Sequence, residues 1–227
     1  MNDSDQLAEE AGACALPPIP EARLREQLRP AVFSVLVLTI LTGCVFPLLL
    51  FAIGTPLFPR QAAGTLIVRG ATVIGSALIG QDFTRPEYFH SRPSAAGAGY
   101  DATASGGTDL GPNNPKLKNG AAGFASIRQL AAEYRQSNGL PPDARVPIDA
   151  VTRSASGLDP DISPANAMLQ AARVAHARGL GADSVRRLVA DYTEGRQLGF
   201  LGNRRVPVLE LNLAVDRMSS QGAAARR

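Results

Sequence analysis

Ala31–Ile53 reads AVFSVLVLTILTGCVFPLLLFAI, and no charged residue interrupts the chain between Arg29 and Arg60. Twenty-three residues at the α-helical rise cover about 35 Å, enough to cross a hydrocarbon core of roughly 30 Å with some tilt. The run exceeds the apolar core of a cleavable leader, usually ~7–15 residues, and reads as a retained span. No second run of this kind follows. The expected build is a single N-terminal transmembrane helix plus a small α+β extramembrane domain. Its parts are a tail over 1–29, a transmembrane segment over 30–58 (core 31–53), a soluble domain over 60–218 and a C-terminal tail over 219–227.

Charge is unevenly placed around the span. Residues 1–29 hold three arginines against six acids, and residues 60–227 hold twenty basic residues against fourteen acids. The basic residues are scattered, without the clustered stripe and interleaved aromatics of a nucleic-acid face, so no nucleic-acid partner is expected. Arg23, Arg25 and Arg29 precede the span and Arg60 and Arg69 follow it. The positive-inside rule then favours a domain on the outer face. The two cysteines, Cys14 and Cys44, both precede residue 60. The domain therefore has no disulfide and no thiolate zinc site, and no metal is expected.

Within the span, Thr39, Gly43 and Pro47 recur every fourth residue and share one side of a helix. Small residues at that spacing let another helix approach closely, and Pro47 frees a carbonyl and kinks the helix. Two readings stand: a plain anchor, or a helix docked in a larger membrane complex.

Beyond the span, Thr65–Val68 and Thr72–Ile79 are β-rich and joined through Arg69-Gly70-Ala71, which reads as a hairpin. Gly80 to Gly120 shows no period, yet carries Phe83, Tyr88, Phe89 and Tyr100. Such a loop is pinned by its aromatics or presents a binding face. Helices are expected over Phe124–Asn138 (Ile127, Leu130, Ala131 and Tyr134 inward), from Ser163-Pro164 to Gly179 (Met168, Ala171, Ala172 and Ala175 inward), from Asp183 or Ser184, and over Val208–Met218. Asp149–Thr152 suggests a short strand.

Catalytic constellations are missing from the sequence: no Walker loop, no Gly-x-Ser-x-Gly elbow, no His-Glu-x-x-His. Gly97–Ala102 spells Gly-x-Gly-x-x-Ala, but without the preceding strand a dinucleotide loop needs. The only histidines are His90 and His176. The chain reads as a non-enzyme.

The letters become specific at residues 80–117. Gly-Gln-Asp-Phe at 80–83, Tyr-Phe-His-Ser-Arg-Pro-Ser-Ala-Ala-Gly at 88–97, Gly-Tyr-Asp at 99–101 and Leu-Gly-Pro-Asn-Asn-Pro at 110–115 resemble the KdpC family, the C chain of the high-affinity potassium-transporting ATPase. Val-Thr-Arg-Ser-Ala-Ser-Gly-Leu-Asp-Pro at 151–160, Arg173-Val174-Ala175 and Leu-Glu-Leu-Asn-Leu-Ala at 209–214 continue the resemblance in order. Thr108-Asp109, Phe46 and Pro207 depart from the family's usual letters.

The resemblance implies a place in a complex in the bacterial inner membrane. Its partners there are a channel-like potassium-binding subunit, a P-type ATPase subunit and a small stabilising peptide. The complex imports potassium using ATP, and K+ is its cargo rather than a ligand of this chain. Lacking Asp-Lys-Thr-Gly-Thr, this chain is expected to be an accessory subunit that assembles and stabilises the complex. The resemblance also implies a catalytic chaperone that raises the ATP affinity of the ATPase subunit. For ATP as a shared cofactor, the nucleotide-binding candidates are Gln81, Ser105, Gly106 and Gly107, with Ser154, Ser156 and Gly157 as a second set; such loops cradle phosphate through hydroxyl and backbone N–H groups. The alternatives are a purely structural outer-face subunit near the mouth of the ion path, or a solitary membrane-anchored binding protein.

Overall fold

A computed structural model of the chain describes residues 24–224. Most of the expected N-terminal tail, including Cys14 and Arg23, and the last three residues of the C-terminal tail lie outside the described residues. The chain divides into two compact units, Met1–Ala62 and Ala63–Arg227.

In the first unit, α1 (Leu24–Ile40) passes through a π-helical turn (Leu41–Val45) into α2 (Phe46–Leu57), and a single turn, α3 (Pro59–Ala62), follows. The most apolar 18-residue window of the helical stretch Glu26–Leu57 has a mean hydropathy of 2.6 and is left unburied by the chain, and the whole stretch is 32 residues long. At the α-helical rise this is about 48 Å, long enough to cross a membrane. The π turn is where the expected strain at Pro47 is absorbed. Proline lacks an N–H, and its ring crowds the carbonyl four residues back, here that of Gly43. Widening the preceding turn by one residue, so that the Phe46 N–H donates to the Leu41 carbonyl, carries the helix past that clash without a break.

The second unit opens with an antiparallel hairpin of β1 (Leu66–Arg69) and β2 (Thr72–Ser76), with a bulge between Ile67 and Val68. The turn narrows to Gly70-Ala71, with Gly70 at φ 64°, the left-handed conformation such tight turns require. The expected second strand ran to Ile79 but stops at Ser76. There the Ser76 hydroxyl donates to the Gly64 carbonyl and accepts from the Leu78 N–H, turning the chain away. The long irregular stretch then contains one short helix, α4 (Pro115–Asn119), capped by Asn114.

Helix α5 (Ile127–Ser137) starts three residues later than expected, because Ser126 forms a capping box with Gln129. The strand expected at 149–152 is instead a 3-10 turn (Ile148–Ala150). It points Asp149 at the start of α6 (Pro164–Arg178), where the carboxylate accepts from the Ser163 N–H at 2.7 Å and the Ser163 hydroxyl at 2.9 Å. Gly179 ends α6 in the left-handed conformation. Helix α7 (Ala182–Asp191) is capped by Gly181 rather than by Asp183 or Ser184. A two-residue pair, β3 (Asp161–Ile162) with β4 (Val206–Pro207), brings the chain back to α8 (Val208–Ala224), which outruns its expected end at Met218.

The core is Phe89 and Ile162 packed among α6, α7, β4 and α8: Ala171 and Val174, Val185 and Val189, Val206, and Leu211 and Val215. The face of α6 is rotated from the expected one. Met168 and Ala172 are exposed, while Asn166, Ala167, Gln170, Ala171, Val174 and Ala175 are buried. Two amide side chains thus sit where an apolar stripe was expected.

Candidate functional site

Those amides grip the most distinctive sequence in the chain. The segment Tyr88–Arg92 dips into the core at Phe89 with no strand beside it, so its backbone groups need other partners. Buried Asn212 on α8 accepts from the Phe89 N–H at 2.7 Å and donates to the Phe89 carbonyl at 3.0 Å. Buried Gln170 on α6 does the same for His90, at 2.7 and 3.1 Å. Each amide imitates one rung of a β-ladder. Gln170 also donates to Asn166, which accepts from the Tyr134 hydroxyl at 2.8 Å and donates to Asp149 at 3.0 Å.

Arg173 closes the network from the other side. Its guanidinium donates to the carbonyls of Pro86 and Tyr88, to Asn138 and to Gln170, all between 2.6 and 3.0 Å. No carboxylate pairs with it among the described residues, and burial lowers its pKa to about 10. Burial and the Arg173 charge lower that of His90. Tyr88 lies under Arg178, 4.7 Å from the ring centroid, and against Phe83. The loop is pinned by its aromatics: Phe89 is fully buried and Phe83, Tyr88 and Tyr100 are half-buried. The Tyr100 hydroxyl donates to the Arg92 carbonyl, and burial pushes its pKa up to about 12.

The two nucleotide candidate sets are brought together, chiefly by binding one another. The Gly106 N–H and the Ser105 hydroxyl both donate to the Ser156 carbonyl at 2.9 Å. Gly157 holds φ 69°, and a Cβ there would lie 2.6 Å from the Ala96 nitrogen and 2.7 Å from the Gly106 carbonyl oxygen. A Cβ on Gly107 would lie 2.9 Å from the Ala155 oxygen. Ser154 is buried, and the Ser156 hydroxyl accepts from the Leu158 N–H. Gln81 is turned elsewhere, donating to the Ile74 carbonyl of the hairpin. Next to these loops a cavity of about 510 Å3 is lined by Gly97, Gly99, Lys116, Phe124 and Arg153. Arg153 stacks 4.1 Å over the Phe124 ring and donates to the Ala125 carbonyl, and no carboxylate pairs with it among the described residues.

The acids on this side of the domain are largely neutralised by nearby donors. Arg92 meets Asp159 at 2.7 Å, and Arg205 meets Asp161 at 3.1 Å. Asp101 accepts from the Thr103 N–H and hydroxyl, which lower its pKa. Asp161 is the exception: burial, aided by Asp159, Glu194 and Glu210, outweighs Arg205 and raises its pKa to about 6. In the span, Thr39, Gly43 and Pro47 are exposed, and a Cβ added at Gly43 would meet nothing within 4 Å.

Sequence reasoning missed Asn166, Gln170 and Asn212. Asn212 alternates with Leu211 and Leu213 beside Glu210, a pattern that reads as an ordinary polar position; the other two were hidden by the neighbouring alanines.

One bare apolar helix followed by an α+β domain laced together by side-chain amides is the build of a bitopic membrane protein. The family described as KdpC, K+-transporting ATPase, c chain, matches residues 28–217. The potassium-transporting ATPase KdpC subunit of Mycobacterium tuberculosis is 53% identical over 195 residues, 86% of this chain and all of the relative. That of Koribacter versatilis is 49% identical over 194 residues (85% and 95%), and that of Gemmatimonas aurantiaca 50% over 204 (89% and 98%). The chain belongs to the KdpC family, the c chains of the K+-transporting ATPase.

Proposed function

We propose that this chain is a non-catalytic subunit that assembles and stabilises the potassium-import complex. Its span docks on the channel-like subunit through the Thr39, Gly43 and Pro47 side. Its domain sits on the outer face near the mouth of the ion path, held by contact area rather than by charge. Phosphoryl chemistry is left to the P-type ATPase subunit, and the small peptide completes the set. The observation that carries this reading is the fate of the family motif at 88–92. Its backbone is held by buried Asn212 and Gln170 and by half-buried Arg173, which makes a rigid body suited to being docked rather than a reactive cleft.

Copurification from mild detergent tests it. A large multispan partner is expected to travel with the chain; recovery of the chain without one defeats the reading and favours a solitary anchored binding protein.

A second reading, the chaperone that raises ATP affinity in the ATPase subunit, is favoured by Arg153, a half-buried guanidinium without a carboxylate at the edge of a glycine-lined cavity. Buried cations in such loops suit phosphate. It predicts that millimolar ATP raises the melting temperature of the full chain in detergent and that Arg153→Ala abolishes the shift. An unshifted wild-type melt argues against direct binding.

A further inference from the structure

The segment between α7 and β4, Thr193 to Arg205, leaves the body of the domain as a closed loop. Its base is zipped by two hydrogen bonds, Glu194 N–H to Arg205 carbonyl at 2.8 Å and the reverse at 3.2 Å. Nearer the tip, Gln197 and Leu201 exchange N–H···O bonds at 2.9 Å in both directions. Arg205 rivets the base by pairing with Asp161 and with Glu194 at 2.6 Å. On this rigid stem stand Leu198, 83% exposed, Phe200, 69% exposed, and Leu201, 47% exposed. The domain's own core takes up none of them. Arg196 and Arg204 flank the tip, both exposed and neither paired with an acid among the described residues, and there is no acid from Gly195 to Arg205.

We propose that this loop is a docking knob that inserts into an apolar pocket with an acidic rim on another, larger subunit of the transport complex; the proposal rests on the reading of the chain as a subunit. Composition is one reason. An exposed aromatic beside aliphatic side chains, bordered by arginines, is the make-up of interface hot spots. The two uncompensated arginines specify the rim: carboxylates on the receiving surface. The backbone is the second reason, and it favours a protein over a lipid surface. Leu198 is held at φ 52° and is followed by Gly199 at φ 83° and, past the tip, Gly202 at φ 75°. A leucine in the left-handed region is uncommon, and such strain persists where a fixed display is required. A fluid headgroup layer rewards no particular side-chain direction, whereas a shaped pocket does. The stem bonds add preorganisation, so little ordering remains to be done on binding.

Photo-crosslinking in the assembled complex tests the knob. The full chain is coexpressed with the other subunits, with benzoylphenylalanine in place of Phe200, and irradiated in membranes. A covalent adduct with a larger subunit is expected. In parallel, Phe200→Asp is expected to lower recovery of that subunit about tenfold or more after a high-salt wash. Its melting temperature is expected to stay within about 2 °C of wild type, because Phe200 is 69% exposed and lies outside the core. If the wild-type chain copurifies with its partners but the adduct forms only with lipid, only with a second copy, or not at all, the knob is refuted and the subunit reading stands. If even the wild-type chain recovers no partner, both fall.

Discussion

Arg173 shows how much one side chain holds in this domain. All of its contacts are neutral acceptors in a fixed fork, a geometry an ammonium group cannot reproduce. Arg173→Lys is therefore expected to destabilise the chain by about 1–2 kcal/mol, since part-buried acceptors on Tyr88, Asn138 and Gln170 lose donors; denaturant titration in detergent measures it. Asn212→Leu strands both backbone groups of Phe89 and is expected to cost about 2–4 kcal/mol for the same reason. Asp161 makes a pH prediction. Its folded pKa of about 6 lies above the ordinary 3.8, so the folded state holds a proton that the unfolded state releases. Its contribution is most favourable below about pH 4 and is lost as pH rises through about 6. Melting curves at pH 5 and pH 7.5 should show a larger fall for wild type than for Asp161→Asn. None of these three roles was legible in the sequence. An amide on an alanine-rich helix face looks like surface until its partner is known, and Gln170 meets His90 across 80 residues.

At the scale of elements the sequence was far more informative. The apolar run, the Gly70 turn, the Ser163-Pro164 start and the Gly179 stop each follow from local chemistry, and each is present. Where expectation slipped, the cause was a side chain acting on backbone: Ser126 delaying α5, Ser76 ending β2, and Asp149 turning a presumed strand into a 3-10 turn. The β3–β4 pair, two residues on each side, is too short to leave a periodic trace. The paired loops at 105–107 and 154–157 give a prediction of their own. Gly157→Ala combines a left-handed φ with atoms closer than a Cβ tolerates, so a loss of about 2 kcal/mol or more is expected, measured by thermal melting. In the span, Gly43→Leu should weaken copurification with the multispan partner and leave the domain's melting temperature unchanged. Unchanged recovery would remove that helix face from the interface.

For the whole molecule, the side of the membrane on which the domain lies separates the two functional readings, which demand opposite answers. Ser220 is exposed on α8. In a chain without Cys14 and Cys44, Ser220→Cys is expected to react with a membrane-impermeant maleimide in intact cells, as an outer-face domain requires. Labelling only after lysis would place the domain with cytoplasmic ATP and make the chaperone reading the leading one.

The amide clamps also bear on how the chain acquires its shape. Asn212 and Phe89 lie 123 residues apart, so the rung they form closes a very long loop and must await the arrival of the last helix. During synthesis the hairpin and α5 can organise locally as they emerge, but the Tyr-Phe-His-Ser-Arg-Pro segment stays open, its aromatics unsheltered. Until residue 212 has been made, the nascent domain exposes an adhesive surface beside a newly inserted helix. Whatever binds the chain while it is being made would meet that open form first, and the timing of translation becomes part of how the domain matures.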